Sequence, residues 1–347
     1  MFEAMVMLCA MLDAGPCRDH LLPGYEARTQ AECEAALAER PPQPSPVAGL
    51  RPRSAPRCEP VGERLEVSEI APGVFVHKGR IAEPDRENRG DVANLGFVVG
   101  RTGVAVIDTG SARWMGEALW RSIRARTDLP VTHVILTHQH PDHALGAAPL
   151  AEAGASVAGH ENLARALADR QANYLESLNR LIGAKVVLGT RTVAVDIAVG
   201  DRLDIDLGSR VLELRAWPVA HTGTDLTVFD PTTGTLFAGD LVFDGHTPAL
   251  DGSLQGWRAV LEELRAMELT RLVPGHGGPA LDWPEGGADL ARYLEVLETD
   301  TRAAIDAGLR LGEAAGSIAQ SEAGRWQLFE AYNARNATVA FTELEWE

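Results

Sequence analysis

Hydrophobic positions change period along the chain, and the changes define its elements. Val74–Lys78 and Asn94–Val99 read as strands, and Val104–Ile107 is a continuous apolar run stopped by Asp108-Thr-Gly110, as in a strand buried on both faces. Trp114–Arg126 then takes the spacing of an amphipathic helix. Val131–Leu136 is another buried strand, and the polar segment Thr137–His143 follows as a loop at its carboxyl end, where α/β sheets commonly carry their sites. In the second half, Arg191–Asp196, Arg202–Leu207 and Val211–Ala216 alternate like antiparallel strands, and Leu226–Phe229 pairs with Thr235–Ala238 across the turn Asp230–Gly234. Helices are expected over residues 161–182, 253–266 and 287–308, with a last one at Arg325–Val339. Two batches of strands with interspersed helices predict an α/β fold of two sheets packed face to face, helices outside.

The start of the chain has a different character. Residues 1–40 are expected to be a small helical segment, with the apolar run 4–12 as a short helix and Gln30–Glu39 as a run of strong helix formers. No Lys or Arg precedes residues 4–12 and no clean cleavage site follows, so the run is a poor secretory signal. Residues 41–60 hold seven prolines, which rules out a helix or central strand, and 41–64 is expected to be a linker. The catalytic domain is then expected over 65–310, with a helical extension, 311–347, packed on it.

Composition changes this picture in two respects. All four cysteines, Cys9, Cys17, Cys33 and Cys58, fall in the leading segment, which predicts two disulfides with three pairings open and an oxidising compartment, periplasmic or secreted. No C-x-x-C spacing supports a metal knuckle. The formal charge of −17 and the lack of a basic stripe argue against a nucleic-acid partner. The longest apolar runs fall far short of the roughly 20 residues of a membrane span.

Candidate chemistry is concentrated in Thr137-His-Gln-His-Pro-Asp-His143. In an extended loop His138 and His140 point to one side and can share an ion, while Asp142 and His143, beyond a proline-set turn, can face a second. Three histidines and an aspartate within six residues would otherwise be an uncompensated polar patch.

The pattern His138-x-His140-x-Asp142-His143 resembles the signature of the metallo-β-lactamase superfamily, and later members follow in order: His221 in Val219–Asp225, Asp240 in Phe237–Leu241 and His276 in Pro274–Gly277. The resemblance spans roughly residues 70–280 and implies an αββα sandwich with two Zn2+, iron or manganese being the lesser alternatives. It implies one ion on His138, His140 and His221, the other on Asp142, His143 and His276, and Asp240 bridging them. A hydroxide shared by the ions would attack an ester, thioester or lactone-type carbonyl of a small molecule, with Asp142 and Asp240 as the catalytic carboxylates. True β-lactamases usually offer a cysteine to the second ion; this domain has none, so the set is closer to glyoxalase II. Asp108 resembles the aspartate that fixes a ligand histidine, and equally a plain strand-end turn residue. The four-cysteine segment, the Pro-rich stretch and Gly239–Pro248 together resemble the quinoprotein relay system zinc metallohydrolases, which implies a quinoprotein dehydrogenase partner.

Rival readings are a β-lactamase, a nuclease, an iron redox member of the superfamily, and a non-catalytic accessory or maturation factor for a quinoprotein. The acidic charge disfavours the nuclease, and a site without cysteine is unlike closed structural zinc. Of the other histidines, His246 is a candidate for the pocket mouth, His77, His133 and His160 read as structural, and His20 belongs to the leading segment. Trp257, Trp283, Trp326 and Trp346 read as helix-packing anchors.

Overall fold

The computed structural model describes residues 1–11, 15–43, 47 and 49–346. Strand β1 (Phe2–Ala10) pairs antiparallel with β2 (Cys17–Ala27), helix α1 (Gln30–Glu39) follows, and β3 (Leu50–Pro52) and β4 (Arg57–Pro60) line the other edge of β1. The leading segment is therefore a four-stranded sheet with one helix, where a helical segment and a linker were expected. Only α1 matches the helical expectation; Thr29 and Glu32 cap it reciprocally. An apolar run buried on both faces reads alike as helix or strand. Here Ala4, Val6 and Leu8 pack with Leu22, Cys33 and Val47, while Met5 and Leu21 turn to the main core. Pro52 and Pro60 end their short strands, where a missing N–H is tolerated. Leu12 of the expected first helix and Pro44–Pro46 of the expected linker lie outside the described residues.

Both disulfides form, as Cys9–Cys17, across directly paired positions of β1 and β2, and Cys33–Cys58, between α1 and β4. The sheet is keyed to the rest of the chain by buried charge. Arg121 Nε donates to Glu3 Oε2 at 2.7 Å, and Glu117 accepts both from Arg18 (2.9 Å) and from Arg113 Nε (2.9 Å). Burial would raise the Glu117 carboxyl, but Arg18 and Arg113 outweigh it and hold its pKa at about 2. His20 is buried in this interface with Nε2 3.1 Å from the Leu188 carbonyl.

The main body follows. Strands β5 (Ser68–Ala71), β6 (Val74–His77), β7 (Leu95–Val99) and β8 (Val104–Ile107) run antiparallel. Helix α2 (Arg113–Arg124) then crosses to β9 (Val131–Leu136), the short helices α3 (Pro141–Ala144) and α4 (Ala148–Glu152) lead to β10 (Ser156–His160), and α5 (Leu163–Leu181) and α6 (Ala184–Val187) lead to β11 (Ile197–Val199). Strands β8 to β11 are parallel, completing a seven-stranded sheet. The strand expected at Arg191–Asp196 instead begins at Ile197; Asp196 takes the Val157 N–H with its carboxylate at 2.8 Å.

The second sheet has the order β12 (Arg202–Asp206), β13 (Val211–Ala216), β14 (Leu226–Asp230), β15 (Thr235–Phe243) and β16 (Arg271–His276), the last pair parallel. Helix α7 (Leu254–Arg265) precedes β16, and α8 (Ala288–Asp306), α9 (Leu311–Ala314) and α10 (Phe329–Leu344) follow it. Val76, Val98 and Ile107 of one sheet meet Leu212, Val228 and Phe237 of the other, so the sheets face each other as expected. They approach so closely at Gly96 that a Cβ there would lie 2.3 Å from the Phe237 ring. Trp257 on α7, with Trp283 and Trp326 in the turns before α8 and α10, is a buried anchor among the outer helices, whereas Trp346 is 84% exposed and anchors nothing. No helix of the described residues is long and apolar enough to cross a membrane.

Candidate metal centre

The site lies at one end of the two sheets. Strand β9 ends at Leu136 and delivers Thr137–His140, and α3 turns Asp142 and His143 back over the sheet. His221 comes from the β13–β14 connection, Asp240 from β15 and His276 from the last position of β16. Asp240 stands where the β15–β16 register slips at Gly239, whose φ is +52°, a conformation that costs glycine little. All seven residues singled out in the sequence converge. His138, His140, His221 and Asp240 form one group and Asp142, His143 and His276 another, each with its donor atoms within 4.8 Å of one another.

Asp240 faces both groups with different oxygens. Its Oδ2 lies 3.6 Å from His138 Nε2 and 3.4 Å from His221 Nε2, while its Oδ1 lies 3.1 Å from His143 Nε2 and 3.5 Å from His276 Nε2. Asp142 Oδ2 is 3.3 Å from His276 Nε2.

Hydrogen bonds on the far side of each ring fix which nitrogen points inward. His221 Nδ1 donates to the Ala249 carbonyl (2.5 Å) and His276 Nδ1 to the Val92 carbonyl (2.9 Å). His143 Nδ1 is held by Asp108 Oδ2 at 2.8 Å, and the Thr137 hydroxyl donates to the same Asp108 while its oxygen faces His138 Nδ1 at 3.0 Å. In His140 the roles reverse: Nε2 donates to Asp251 Oδ2 (3.2 Å), leaving Nδ1 inward, 3.0 Å from His221 Nε2. Inward lone pairs 3 Å apart repel unless a proton or a cation lies between them. His138 Nε2, His143 Nε2 and Asp240 Oδ1 are buried with no hydrogen-bond partner. A buried set of imidazoles and carboxylates, oriented from behind and with His138 Nε2, His143 Nε2 and Asp240 Oδ1 unsatisfied in front, fits divalent metal ions.

Protonation follows from the same geometry. Burial pushes His138 well below the usual histidine range and His221 down to about 3. Burial opposes charge on His143 and His276 too, but Asp240 and its neighbouring carboxylates outweigh it, holding His143 well above the usual range and His276 up at about 9. Burial would raise Asp142 and Asp240, and His143 and His276 instead draw both below the usual carboxylate range.

The family model of the metallo-beta-lactamase superfamily matches residues 88–276, more than half of the chain. The chain belongs to the metallo-beta-lactamase superfamily. It is 25% identical over 258 residues to the 2,4-dinitroanisole O-demethylase subunit alpha of Nocardioides sp. (strain JS1661), covering 72% of this chain and 71% of that one. Among solved structures it resembles a metallo-beta-lactamase from Pontibacter korlensis (23% identity, TM-score 0.54, 67% of this chain and 99% of that one). It also resembles the stereoselective inverting sec-alkylsulfatase Pisa1 from Pseudomonas sp. (17% identity, TM-score 0.61, 81% of this chain). This chain spans half of the length of Pisa1, 50%. At these identities the two structures speak for the metallo-beta-lactamase fold alone.

Within this superfamily member, Asp108 holds His143 and Thr137, so its strand-end position serves the cluster. His246 is buried in the cavity lining, its ring 4.8 Å from that of His276 and 4.9 Å from that of Tyr332. His77 is bonded to Asp91 and the Glu66 carbonyl, His133 to Thr132 and His160 to the Asn162 N–H, as structural histidines. Asp251, which orients His140, is absent from the sequence reading; in Leu250-Asp-Gly-Ser253 it looks like an ordinary turn residue before α7. The cavity above the cluster, about 450 Å³, is also lined by Arg170 and Tyr174 of α5 and Tyr332 and Arg335 of α10, which nothing in the sequence marks out.

Proposed function

We propose that this chain is a dinuclear zinc hydrolase acting on the carbonyl of a small ester, thioester or lactone. The observation that carries the reading is the inward convergence of five imidazoles around one buried aspartate, four of them with a ring nitrogen within 3.6 Å of its two oxygens and the fifth, His140, 3.0 Å from His221. His138 Nε2, His140 Nδ1 and His221 Nε2 would hold one ion, Asp142, His143 Nε2 and His276 Nε2 the other, and Asp240 both. Mixed imidazole and carboxylate ligands without thiolate suit zinc, with iron and manganese as weaker candidates. Two divalent ions, when bound, lower the pKa of water from 15.7 to about 7 and polarise a substrate oxygen.

The chain's own groups do the rest. Asp240 and Asp142 supply negative charge that keeps the cluster compensated, and Asp142, with Oδ2 turned to His276, leaves Oδ1 to take the proton of the attacking water and return it to the leaving group. Asp108, Asp251 and the carbonyls of Val92 and Ala249 keep each ring in the tautomer that this requires.

The absence of cysteine from the domain argues against a β-lactamase, and the open cavity against a purely structural site. Two disulfides support an oxidising compartment; the periplasm and a quinoprotein dehydrogenase partner rest on motif resemblance alone. The test is turnover of a panel of aryl esters, thioesters and lactones, with an aryl methyl ether and a sec-alkyl sulfate added because of the named relatives. Hydrolysis of an acyl probe that is lost to a chelator and restored by zinc supports the reading. Metal-independent turnover, or turnover of the ether or sulfate only, overturns it.

A further inference from the structure

Two helix faces wall the cavity above the histidine cluster. Arg170, Tyr174, Leu178 and Leu181 of α5 recur at i, i+4, i+8 and i+11, one stripe of that helix. Tyr332, Arg335 and Val339 of α10 recur at i, i+3 and i+7 and form a second stripe, outside the span of the family match. Where the walls meet solvent they carry apolar surface as well as charge: Leu181 is 41% exposed.

The polar groups of these stripes divide into committed and free. Arg170 is paired with Asp251 at 3.2 Å, and the Tyr332 hydroxyl sits against Glu83. The Tyr174 hydroxyl is buried against Arg170, and burial pushes its pKa up to about 12, so at neutral pH it keeps its proton. Among the described residues Arg335, exposed at the mouth, has neither an ion-pair nor a hydrogen-bond partner. An unpaired guanidinium in a cavity wall that it shares with Leu178, Leu181 and Val339 is a good fit for an amphipathic anion. A guanidinium matches a carboxylate in a planar two-point bond, and the chain's net charge of −17 offers no general attraction that would make a lone cation redundant.

We propose that the cavity takes a substrate with a carboxylate on an apolar body, read by Arg335, the body lying against Leu178, Leu181 and Val339. This deepens the dinuclear hydrolase reading and rests on it only for the reacting end of the substrate. Arg335 is a specificity residue and takes no part in bond breaking.

The experiment is calorimetric titration of the zinc-loaded full chain with mercaptohexanoate and mercaptohexanamide, which share a metal-seeking thiol and an apolar chain and differ in the carboxylate. The expected result is about tenfold tighter binding of the acid. Arg335→Ala should erase the preference, Arg335→Glu reverse it, and Arg335→Lys retain part of it, all with the zinc content of the unmodified chain. Equal affinity for acid and amide, or a preference that survives Arg335→Ala, overturns the proposal and leaves the hydrolase reading standing. Failure of the chain to hold zinc, with neither thiol bound, overturns the hydrolase reading and this inference with it.

Discussion

Asp108 shows how one side chain can set the state of several others. It sits in the left-handed region at φ +57°, which an aspartate tolerates better than most residues, and from there accepts the Thr137 N–H, the Thr137 hydroxyl and His143 Nδ1. Asp108→Ala should therefore loosen His143 and Thr137 together. The expected outcome is a loss of about 10- to 100-fold in affinity for the ion on the Asp142 side, read by competition with a chromophoric chelator. Unchanged affinity would mean that packing alone orients His143. Protons respond at the same scale. The folded-state pKa of His276 is raised from 6.5 to about 9 and that of His143 lies well above its usual value, so both are charged at neutral pH in the metal-free chain. Metal binding must displace those protons, about two per chain at pH 7. In calorimetry across buffers of different ionisation enthalpy, proton release should be present at pH 7 and decline as pH rises through 9. Release that is constant with pH would contradict the raised values. For the metal-free chain the sign is fixed likewise: His276 adds stability below pH 6.5 and loses that contribution as pH rises through about 9.

Among elements, the leading sheet is the least expected. Its disulfides hold it together, but its attachment to α2 is ionic and buried, with Glu3 and Arg113 almost wholly covered. Removing one partner of such a pair strands the other, so Glu3→Ala should lower the unfolding free energy by about 3 kcal/mol through an uncompensated Arg121. Urea unfolding measures this; a change below about half a kcal/mol, the scale of exposed pairs, would mean that the contact is solvated. Helix α10 is the other element whose role exceeds expectation. Expected only as a last helix packed on the domain, it also brings Tyr332 and Arg335 to the cavity.

At the scale of the whole molecule, the fold follows the hydrophobic pattern wherever a run had one plausible partner. Val104–Ile107 and Val131–Leu136 are too short for helices and too apolar for edges, so their place in the middle of a sheet was legible. Phe2–Ala10 was not, because continuous apolar character fits a buried helix as well as a strand, and only the charges on α2 and the cover from α1 decide between them. The convergence of the histidine and aspartate cluster was legible for a related reason. Four of its seven residues fall within six positions of one another, and the other three stand in motifs that resemble those of a recognisable family. Asp251 and Arg335 reach the site only through the folding of distant segments, and local sequence carries no trace of that. The two sheets thus bring a contiguous donor cluster against three isolated ones, and Asp240 is the residue at which the groups meet.

The measurement that tests this most directly is metal content per chain, by elemental analysis of purified protein beside the Asp240→Ala variant. About two zinc per chain in the unmodified protein is expected, falling to one or none in the variant because both groups lose an oxygen ligand. A chain that carries no divalent metal, or a variant that keeps two ions, would contradict a dinuclear centre joined by Asp240.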